Sequence, residues 1–119
     1  MKNNSTALRL RIYISSTDKI DNSLLSEQLV YQAREFELAG ATVFKGIIGY
    51  GASSVIHSYK FWEVSEKVPV VLEIVEEESK VLSFFDSIKP MLETMRYGCL
   101  VTAEKVDVLY YKSGEKRFL

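Results

Sequence analysis

The sequence predicts an α+β domain of the ferredoxin-like class, with a four-stranded antiparallel sheet and two helices on one face. Two segments space their apolar residues as amphipathic helices do, and each lies between two segments of strand character. The resulting order, β-α-β-β-α-β, consists of two βαβ halves joined by a connection, which is the ferredoxin-like pattern. A length of 119 residues suits one domain rather than two.

The first strand and the first helix have the clearest patterns. Residues 8–14 alternate between apolar and other side chains, which is typical of a strand with one buried face. After a polar stretch over residues 15–23, a helix is predicted from apolar spacings of four and three. Gly40 is placed to end this helix in a left-handed conformation. The apolar stripe of the helix consists of Leu25, Leu29, Ala33 and Phe36.

The second strand leads into a long connection. Residues 41–48 are rich in β-branched and apolar side chains, as strands are. The connection covers residues 50–67, in which residues 59–64 can form a short strand. Connections of this length in a small domain are usually functional. We expect residues 51–66 to be mobile, because Gly49 and Gly51 allow wide backbone excursions.

The third strand and the second helix follow the connection. Residues 69–75 are almost continuously apolar, as in a central strand, with Pro69 at the start. The acidic residues 76–78 fit the positive end of a helix, and a metal site is the alternative. Pro90 is expected to kink the helix or to end it early. The apolar stripe of this helix consists of Val81, Phe84 or Phe85, Ile88 and Leu92.

The fourth strand completes the single domain. It is predicted over residues 99–110, after the break at Gly98. Flexible termini are expected at residues 1–6 and 112–119. With both helices on one face of the sheet, the other face must be covered or remain apolar. Packing between copies of the chain is the economical cover, so we expect an oligomer.

Composition and charge restrict the classes of function. Apolar residues make up 47% of the chain, charged residues 26%, and the formal net charge is −1. A nucleic-acid-binding domain normally has a basic face, so no nucleic-acid partner is expected. A single cysteine, Cys99, excludes an internal disulfide and fits a reducing compartment. No signal peptide or membrane span is evident, so we expect a cytoplasmic protein without membrane insertion.

The reactive side chains do not form the constellation of an enzyme. Cys99 is more typical of a small buried residue than of a nucleophile, because the one base available to it is His57. His57, the single histidine, is expected to be solvated. The spacing of Gly46, Gly49 and Gly51 is not the dinucleotide-binding fingerprint. These glycines either give the strand a flexible exit or let a ligand approach the backbone.

The connection carries four aromatic residues, Tyr50, Tyr59, Phe61 and Trp62. Two interpretations remain open. The aromatic side chains fold back on the domain, or they project and anchor a partner, since Tyr and Trp dominate binding hot spots. Together with His57 they form the candidate partner-binding loop.

Residues 40–51, Gly-Ala-Thr-Val-Phe-Lys-Gly-Ile-Ile-Gly-Tyr-Gly, closely resemble the signature of the PII-like domain of unknown function found in bacteria and archaea. The resemblance continues through the segment up to His57, the strand at 69–75 and residues 98–106. It covers roughly residues 8–110.

More distantly, the same segments resemble the PII nitrogen-signalling proteins. Those proteins are ferredoxin-like trimers that bind adenine nucleotides in clefts between subunits and contact targets through a long loop after the second strand. The resemblance implies that this chain is a homotrimer that senses a small-molecule effector such as AMP, ADP or ATP. It also implies a target protein, such as a membrane transporter or an enzyme, that contacts the loop.

The resemblance further implies which residues bind the nucleotide. Gly40 and Thr42 match a glycine and a threonine beside the adenine. Glu73 matches an acidic residue near the ligand, and Lys112 stands where a phosphate-binding arginine would be. The full implied set is Gly40, Ala41, Thr42, Gly49, Tyr50, Gly51, Glu73, Arg96 and Lys112.

The sequence departs from the PII pattern at the phosphate. Tyr110 occupies the second arginine position, and the Gly-rich loop with its Asp-Gly-Lys phosphate cradle is missing before the last strand. Arg96 is the residue that could substitute. Because charge-assisted bonds to phosphate are lost, micromolar or weaker affinity is expected.

Three functional hypotheses compete. The first is a trimeric regulator that senses a nucleotide and contacts a target through residues 50–67. The second is a metal-binding trimer resembling the copper-tolerance proteins of the same fold, for which one Cys, one His and three Met supply few soft ligands. The third is an enzyme, for which no nucleophile with an activating base is evident. The first hypothesis is favoured.

Overall fold

The computed structural model of the protein describes residues 1–52, 57–58 and 67–115, with residues 57 and 58 described by their backbone. Two helices and eight strands lie in this part of the chain. In chain order they are β1 (Ser5–Ser15), β2 (Lys19–Ile20), β3 (Ser23–Leu24), α1 (Leu25–Glu35), β4 (Thr42–Lys45), β5 (Ile48–Gly49), β6 (His57–Ser58), β7 (Pro69–Glu76), α2 (Glu78–Thr94) and β8 (Leu100–Val108).

The main sheet has four strands in the order β4-β7-β1-β8, and all three neighbouring pairs are antiparallel. The two central strands, β1 and β7, come from different βαβ halves, as the ferredoxin-like fold requires. The predicted fold class is therefore confirmed. Within the described residues, β4 and β8 each have one neighbour in this sheet, so both are edge strands.

The core lies between one face of the sheet and the two helices. The alternating residues of β1 and β7 that point to this face are buried, and so are the inner faces of both helices. Phe84 rather than Phe85 is the buried member of the α2 stripe. Phe36 lies at the edge of the core, with its ring edge-on to Phe84 at 5.6 Å between centroids. Both helices pack on the same face, which leaves the opposite face, called here the open face, free of helices.

The end of α1 differs from the prediction at Gly40. The helix ends at Glu35, and Glu37 adopts the left-handed conformation with φ 62°. The Leu38 N–H donates to the Ala33 carbonyl at 3.2 Å, while the Glu37 N–H donates to the Arg34 carbonyl at 3.0 Å. This bonding is a Schellman motif, in which an apolar residue after the turn packs back on the helix. Leu38 packs against the core, so it fixes the helix end before Gly40 is reached.

Of the two effects predicted for Pro90, a kink or an early end of α2, the structure excludes the early end. The helix continues through Pro90 to Thr94. Proline removes one helical hydrogen bond, which frees the carbonyl four residues earlier, at Asp86. Pro90 and Asp86 are both exposed, so water can bond this carbonyl.

The second predicted strand is divided into β4 and β5 at Gly46. The Gly46 N–H donates to the Pro69 carbonyl at 2.7 Å. A Cβ added at Gly46 would lie 3.3 Å from the Pro69 Cβ, and one added at Gly49 would lie 3.1 Å from the Pro69 Cγ. These two glycines therefore allow the chain to pass closely over Pro69, a contact within the chain rather than with a ligand.

The polar stretch after β1 forms a small hairpin of β2 and β3. Asp21 and Asn22, with φ 51° and 65°, make its two-residue turn. Two consecutive positive φ values are typical of the type I′ turn, which Asn and Asp tolerate. β1 itself begins at Ser5, inside the terminus that was expected to be flexible.

The connection after β5 is described in part. The backbone of β6 pairs with β5, with Gly49 opposite His57, a pairing that sequence reasoning missed. The possible strand at residues 59–64 lies outside the described residues. Neither described helix has the length and apolar character needed to cross a bilayer.

Candidate functional site

A cleft of about 460 Å³ lies at one end of the main sheet. β1 ends there, and β7 and β8 begin there, so several chain segments converge on one point. The lining comprises residues 13–15 at the end of β1, residues 50–52 after β5, Pro69 and Val70 of β7, and residues 97–100 at the entry to β8. The antiparallel order of the sheet places these segments side by side, although they are distant in the sequence.

Aromatic side chains and glycine give the cleft the character of a site for a flat ligand. Tyr13, Tyr50 and Tyr97 all line it. Aromatic side chains pack well against planar rings, and their hydroxyls can bond to a ligand's polar edge. A Cβ added at Gly51 would meet nothing within 4 Å, so a ligand can approach the backbone there.

Asp18 is the buried charged residue beside the cleft, with 3% of its surface exposed. Its Oδ2 accepts a hydrogen bond from the Ser15 N–H at 3.0 Å, and its carbonyl accepts one from the Leu25 N–H at 2.8 Å. These bonds fix the chain between β1 and α1, so this wall is preformed. The buried Ser15 Oγ, in the same wall, has no hydrogen-bond partner within the described residues.

Cys99 lies in the same lining and is half-buried. Burial raises the pKa of its thiol, and the nearby negative charge of Asp18 raises it further. Because the thiolate is the nucleophilic form, this thiol is a poor nucleophile at neutral pH.

Two cations lie at the rim of the cleft. The guanidinium of Arg96 lies 5.1 Å from the centroid of the Tyr97 ring, and its Nη2 lies 3.5 Å from the Tyr97 hydroxyl. This hydrogen bond and one from the Lys19 backbone lower the pKa of Tyr97. Lys67 is exposed and lines the cleft.

The open face carries a second group of candidate residues. The register aligns Thr42, Glu73, Arg11 and Thr102 across the four strands, a line called here the polar row. Arg11 Nε donates to Glu73 Oε2 at 2.9 Å. The structure thus brings Thr42 and Glu73 together, and it gives the Glu73 carboxylate, which lies within an apolar strand, an ion-pair partner.

The implied nucleotide-binding residues fall into separate places on one chain. Tyr50 and Gly51 line the cleft, with Arg96 next to the lining residue Tyr97. Gly40 and Ala41 border a different cavity of about 250 Å³ beside α1. Gly49 packs on Pro69. Thr42 and Glu73 lie in the polar row.

Lys112 lies at the opposite end of the sheet from the cleft. It follows β8, whose first residue, Leu100, lines the cleft and whose last residue is Val108. At roughly 3.4 Å per residue this strand is about 27 Å long. The Tyr111 N–H donates to the Asn3 Oδ1 at 2.6 Å, next to the start of β1, so the chain does not turn back. Lys112 is therefore separated from the cleft of the same chain by the length of β8.

The candidate partner-binding loop can be located in part. Tyr50 is exposed where the chain leaves β5. Tyr59, Phe61 and Trp62 lie outside the described residues, and His57 is described by its backbone. In the described ranges, no three His, Cys, Asp or Glu side chains group as metal ligands would.

Comparison with known proteins identifies the family. The model described as DUF190, Uncharacterized ACR, matches residues 7–108. The chain belongs to the DUF190 family. The resemblance of residues 40–51 to a PII-like domain of unknown function is thereby confirmed.

Curated DUF190 relatives carry the name UPF0166 protein. One from Aquifex aeolicus (strain VF5) is 36% identical over 101 residues, which cover 85% of this chain and 91% of the relative. One from Methanocaldococcus jannaschii is 32% identical over 72 residues, which cover 60% of this chain and 66% of the relative.

Solved structures with the same fold are PII-like proteins. CPII from Thiomonas intermedia K12, a nitrogen regulatory PII-like protein solved with ADP, AMP and bicarbonate, aligns with a TM-score of 0.67 at 14% identity. The alignment covers 89% of this chain and 91% of CPII. A PII-like signaling protein from Thermus thermophilus aligns with a TM-score of 0.64 at 18% identity, covering 91% and 94% of the two chains. At these identities the likeness shows that DUF190 and the PII-like proteins share a fold.

Sequence reasoning missed much of the DUF190 cleft. Tyr13, Asp18, Lys67 and Tyr97 were not among the candidate residues. Tyr13 and Asp18 precede α1, and Tyr97 follows α2, so sequence spacing gives no sign that they meet. One feature of the sequence could have linked two of these segments. The dipeptide Tyr-Gly occurs both at residues 50–51 and at residues 97–98.

Proposed function

We propose that this DUF190 protein is a homotrimeric PII-like regulator, not an enzyme, that senses an adenine nucleotide in clefts between its subunits. The observation that carries the proposal is the cleft at the end of the sheet, with Tyr13, Tyr50 and Tyr97 in its lining and the backbone of Gly51 accessible. The base would pack against these rings, and the buried Ser15 hydroxyl would gain a partner. CPII, a protein of the same fold, was solved with ADP and AMP.

In the proposed trimer, a neighbouring subunit contributes to each cleft the implied binding residues that do not line the cleft of their own chain. Lys112 lies beyond the far end of β8, a strand about 27 Å long whose first residue lines the cleft of the same chain. Gly40, Ala41, Thr42 and Glu73 do not line that cleft either. In our proposal these five residues face the cleft of the neighbouring subunit, so that each site combines two chains.

The phosphate end of the site is weakly charged. Lys67 and Arg96 come from the cleft's own subunit and Lys112 from its neighbour. These are side-chain cations on flexible stems, without a glycine-rich cradle of backbone N–H groups. We therefore expect micromolar or weaker affinity, and we expect AMP and ADP to compete well with ATP, because within the described residues little remains to hold a third phosphate.

The signal would pass to a target protein through residues 50–67. Tyr50 lies both in the cleft lining and at the start of this segment. A nucleotide that packs against Tyr50 therefore changes the conformation available to the segment that contacts the target, such as a membrane transporter or an enzyme in the cytoplasm.

Calorimetry with AMP, ADP and ATP tests the nucleotide site. Lys112→Ala and Lys67→Ala should each weaken ADP binding about tenfold, for one charge-assisted bond worth roughly 1.5 kcal/mol. Lys89→Ala, at an exposed position on α2, is the matched control and should bind as the wild type does. Absence of heat with all three nucleotides at millimolar concentration, from a verified trimer, would remove the proposal.

Subunit mixing tests whether the site is shared. When Lys112→Ala and Lys67→Ala chains are unfolded together, refolded and allowed to assemble, about one quarter of the clefts receive both lysines by random association. These clefts should bind ADP with wild-type affinity, as a distinct tight phase in the titration. If mixed assemblies bind ADP no better than the separate variants do, Lys67 and Lys112 do not together form a site between subunits.

A further inference from the structure

A line of apolar residues crosses the open face beside the polar row. The register aligns Phe44 of β4, Val71 of β7, Tyr13 of β1 and Leu100 of β8, a line called here the apolar row. Three of its four members are exposed, with 51% for Phe44, 37% for Tyr13 and 55% for Leu100, and Val71 between them is half-buried. A contiguous exposed patch of this kind marks a surface that another molecule covers.

The charges beside the apolar row indicate that a second copy of this chain covers it. Arg11 pairs with Glu73 in the polar row, and one step further along β1 Arg9 pairs with Glu104. The face therefore presents both signs of charge next to an apolar line. In a three-fold assembly, a neighbouring copy can bring carboxylates of its own open face to these arginines and arginines to these carboxylates where the two subunits meet.

The apolar row and the cleft share residues. Tyr13 and Leu100 belong to the row and also line the cleft, whereas Phe44 and Val71 belong to the row alone. A copy packed on the open face therefore contacts the same side chains that a ligand contacts from the cleft.

We infer that ligand binding in the cleft and assembly of the subunits stabilise each other through Tyr13 and Leu100. The inference rests on the proposed function and deepens it by assigning its regulation. Each event fixes these two side chains, so the second event no longer loses their conformational entropy. By linkage, the effect of nucleotide on assembly equals the effect of assembly on nucleotide affinity.

The first test measures assembly of the wild-type protein with and without ligand. Sedimentation velocity over a dilution series locates the protein concentration at which assemblies dissociate. Saturating ADP, the probe, should lower this concentration by at least about tenfold, because a ligand stabilises the state that binds it. An unchanged dissociation midpoint with ADP bound would overturn the inference and also the placement of the site between subunits, while nucleotide binding by the cleft would stand.

The second test uses a variant in the row but outside the cleft. Phe44→Ser should raise the dissociation midpoint, and it should also weaken ADP binding by about fivefold or more although Phe44 does not line the cleft. Leu82→Ser, which replaces a residue 48% exposed on α2, is the matched control and should change neither quantity. Circular dichroism checks that both variants fold. The dilution series with wild-type protein tests the inference even if a variant does not fold.

The outcomes separate this inference from nucleotide binding by the cleft. If wild-type protein binds no nucleotide, the inference and the proposed function both fail. If the wild type binds ADP and Phe44→Ser chains dissociate yet bind ADP equally well as monomers, the cleft is complete in one chain. The linkage and the shared site are then wrong, and nucleotide binding stands. If Phe44→Ser weakens both ADP binding and subunit assembly, the result supports the inferred linkage.

Discussion

Glu76 Oε1 accepts a hydrogen bond from the Ala39 backbone N–H at 2.8 Å, while Glu76 Oε2 accepts one from the Glu77 N–H at 2.8 Å. One carboxylate, 2% exposed, thus joins the segment before β4 to the start of α2. Lys80, one helical turn further on, places its Nζ 3.7 Å from Oε1. The acidic run therefore contains a residue with a structural role at the start of α2. A structural role of this kind agrees with the helix-terminus interpretation of residues 76–78, to which a metal site was the alternative.

Glu76→Ala should destabilise the protein by about 2 kcal/mol, because two backbone N–H groups lose a buried acceptor. Chemical denaturation measures the change. Glu78→Ala, at an exposed position in the first turn of the same helix, should cost about 0.5 kcal/mol through the helix dipole. Equal effects of the two substitutions would show that the Glu76 bonds contribute nothing beyond helix electrostatics.

Gly49→Ala should destabilise by about 1–3 kcal/mol, because its Cβ would lie 3.1 Å from the Pro69 Cγ and overpack the passage over Pro69. Gly51→Ala is the matched control, since a Cβ there meets nothing within 4 Å. The free energy of unfolding without nucleotide is the quantity to compare. A Gly49→Ala protein as stable as Gly51→Ala would contradict the close approach.

Glu37→Gly should stabilise the protein by up to about 1 kcal/mol, because Glu37 occupies the left-handed region at φ 62°. Gly40→Ala should be neutral or slightly stabilising, since Gly40 has no positive φ and open space at its Cβ. Thermal unfolding of both variants is the measurement. If Gly40→Ala destabilises the protein and Glu37→Gly leaves its stability unchanged, the left-handed residue that ends α1 is Gly40 and not Glu37.

Cys99 should react slowly with iodoacetamide at neutral pH, because burial raises the pKa of its thiol. The rate should rise as the pH passes the raised pKa, and ADP should slow the reaction at any pH, since Cys99 lines the cleft. Because the thiol pKa is higher in the folded chain than in the unfolded chain, the protonated thiol contributes to the free energy of unfolding. This contribution is fully present below the unfolded pKa, and it is lost as the pH rises through the folded pKa. Mass spectrometry follows the single cysteine. Fast alkylation at pH 7 would contradict the buried thiol.

The sequence predicted the elements whose patterns are local. The alternation in β1, the stripes of both helices and the apolar run of β7 all indicate which face is buried. These predictions are confirmed except at Phe36, which is exposed and follows the end of α1. Local preference failed where tertiary packing decided the outcome. Leu38 packs on the core and ends α1 before Gly40, and α2 continues past Pro90.

The candidate site was predicted less well than the fold, because its residues meet through the sheet order rather than through sequence spacing. Tyr13 and Leu100 are 87 positions apart by their numbers and pair directly across β1 and β8. A single sequence does not contain that register. The family resemblance supplied Tyr50, Gly51 and Arg96, and it could not supply Tyr97 or Lys67, which belong to no matched motif.

The two edge strands differ in how they resist unwanted growth of the sheet. β4 is four residues long, and the chain leaves it at Gly46. β8 is nine residues long, and Glu104, Lys105 and Asp107 are exposed along it. Closely spaced charges on an edge make the addition of a foreign strand unfavourable. We therefore expect the chain to remain free of fibrils at the high concentrations used for crystallisation, and uncharged replacements along β8 to be the ones that make it aggregate.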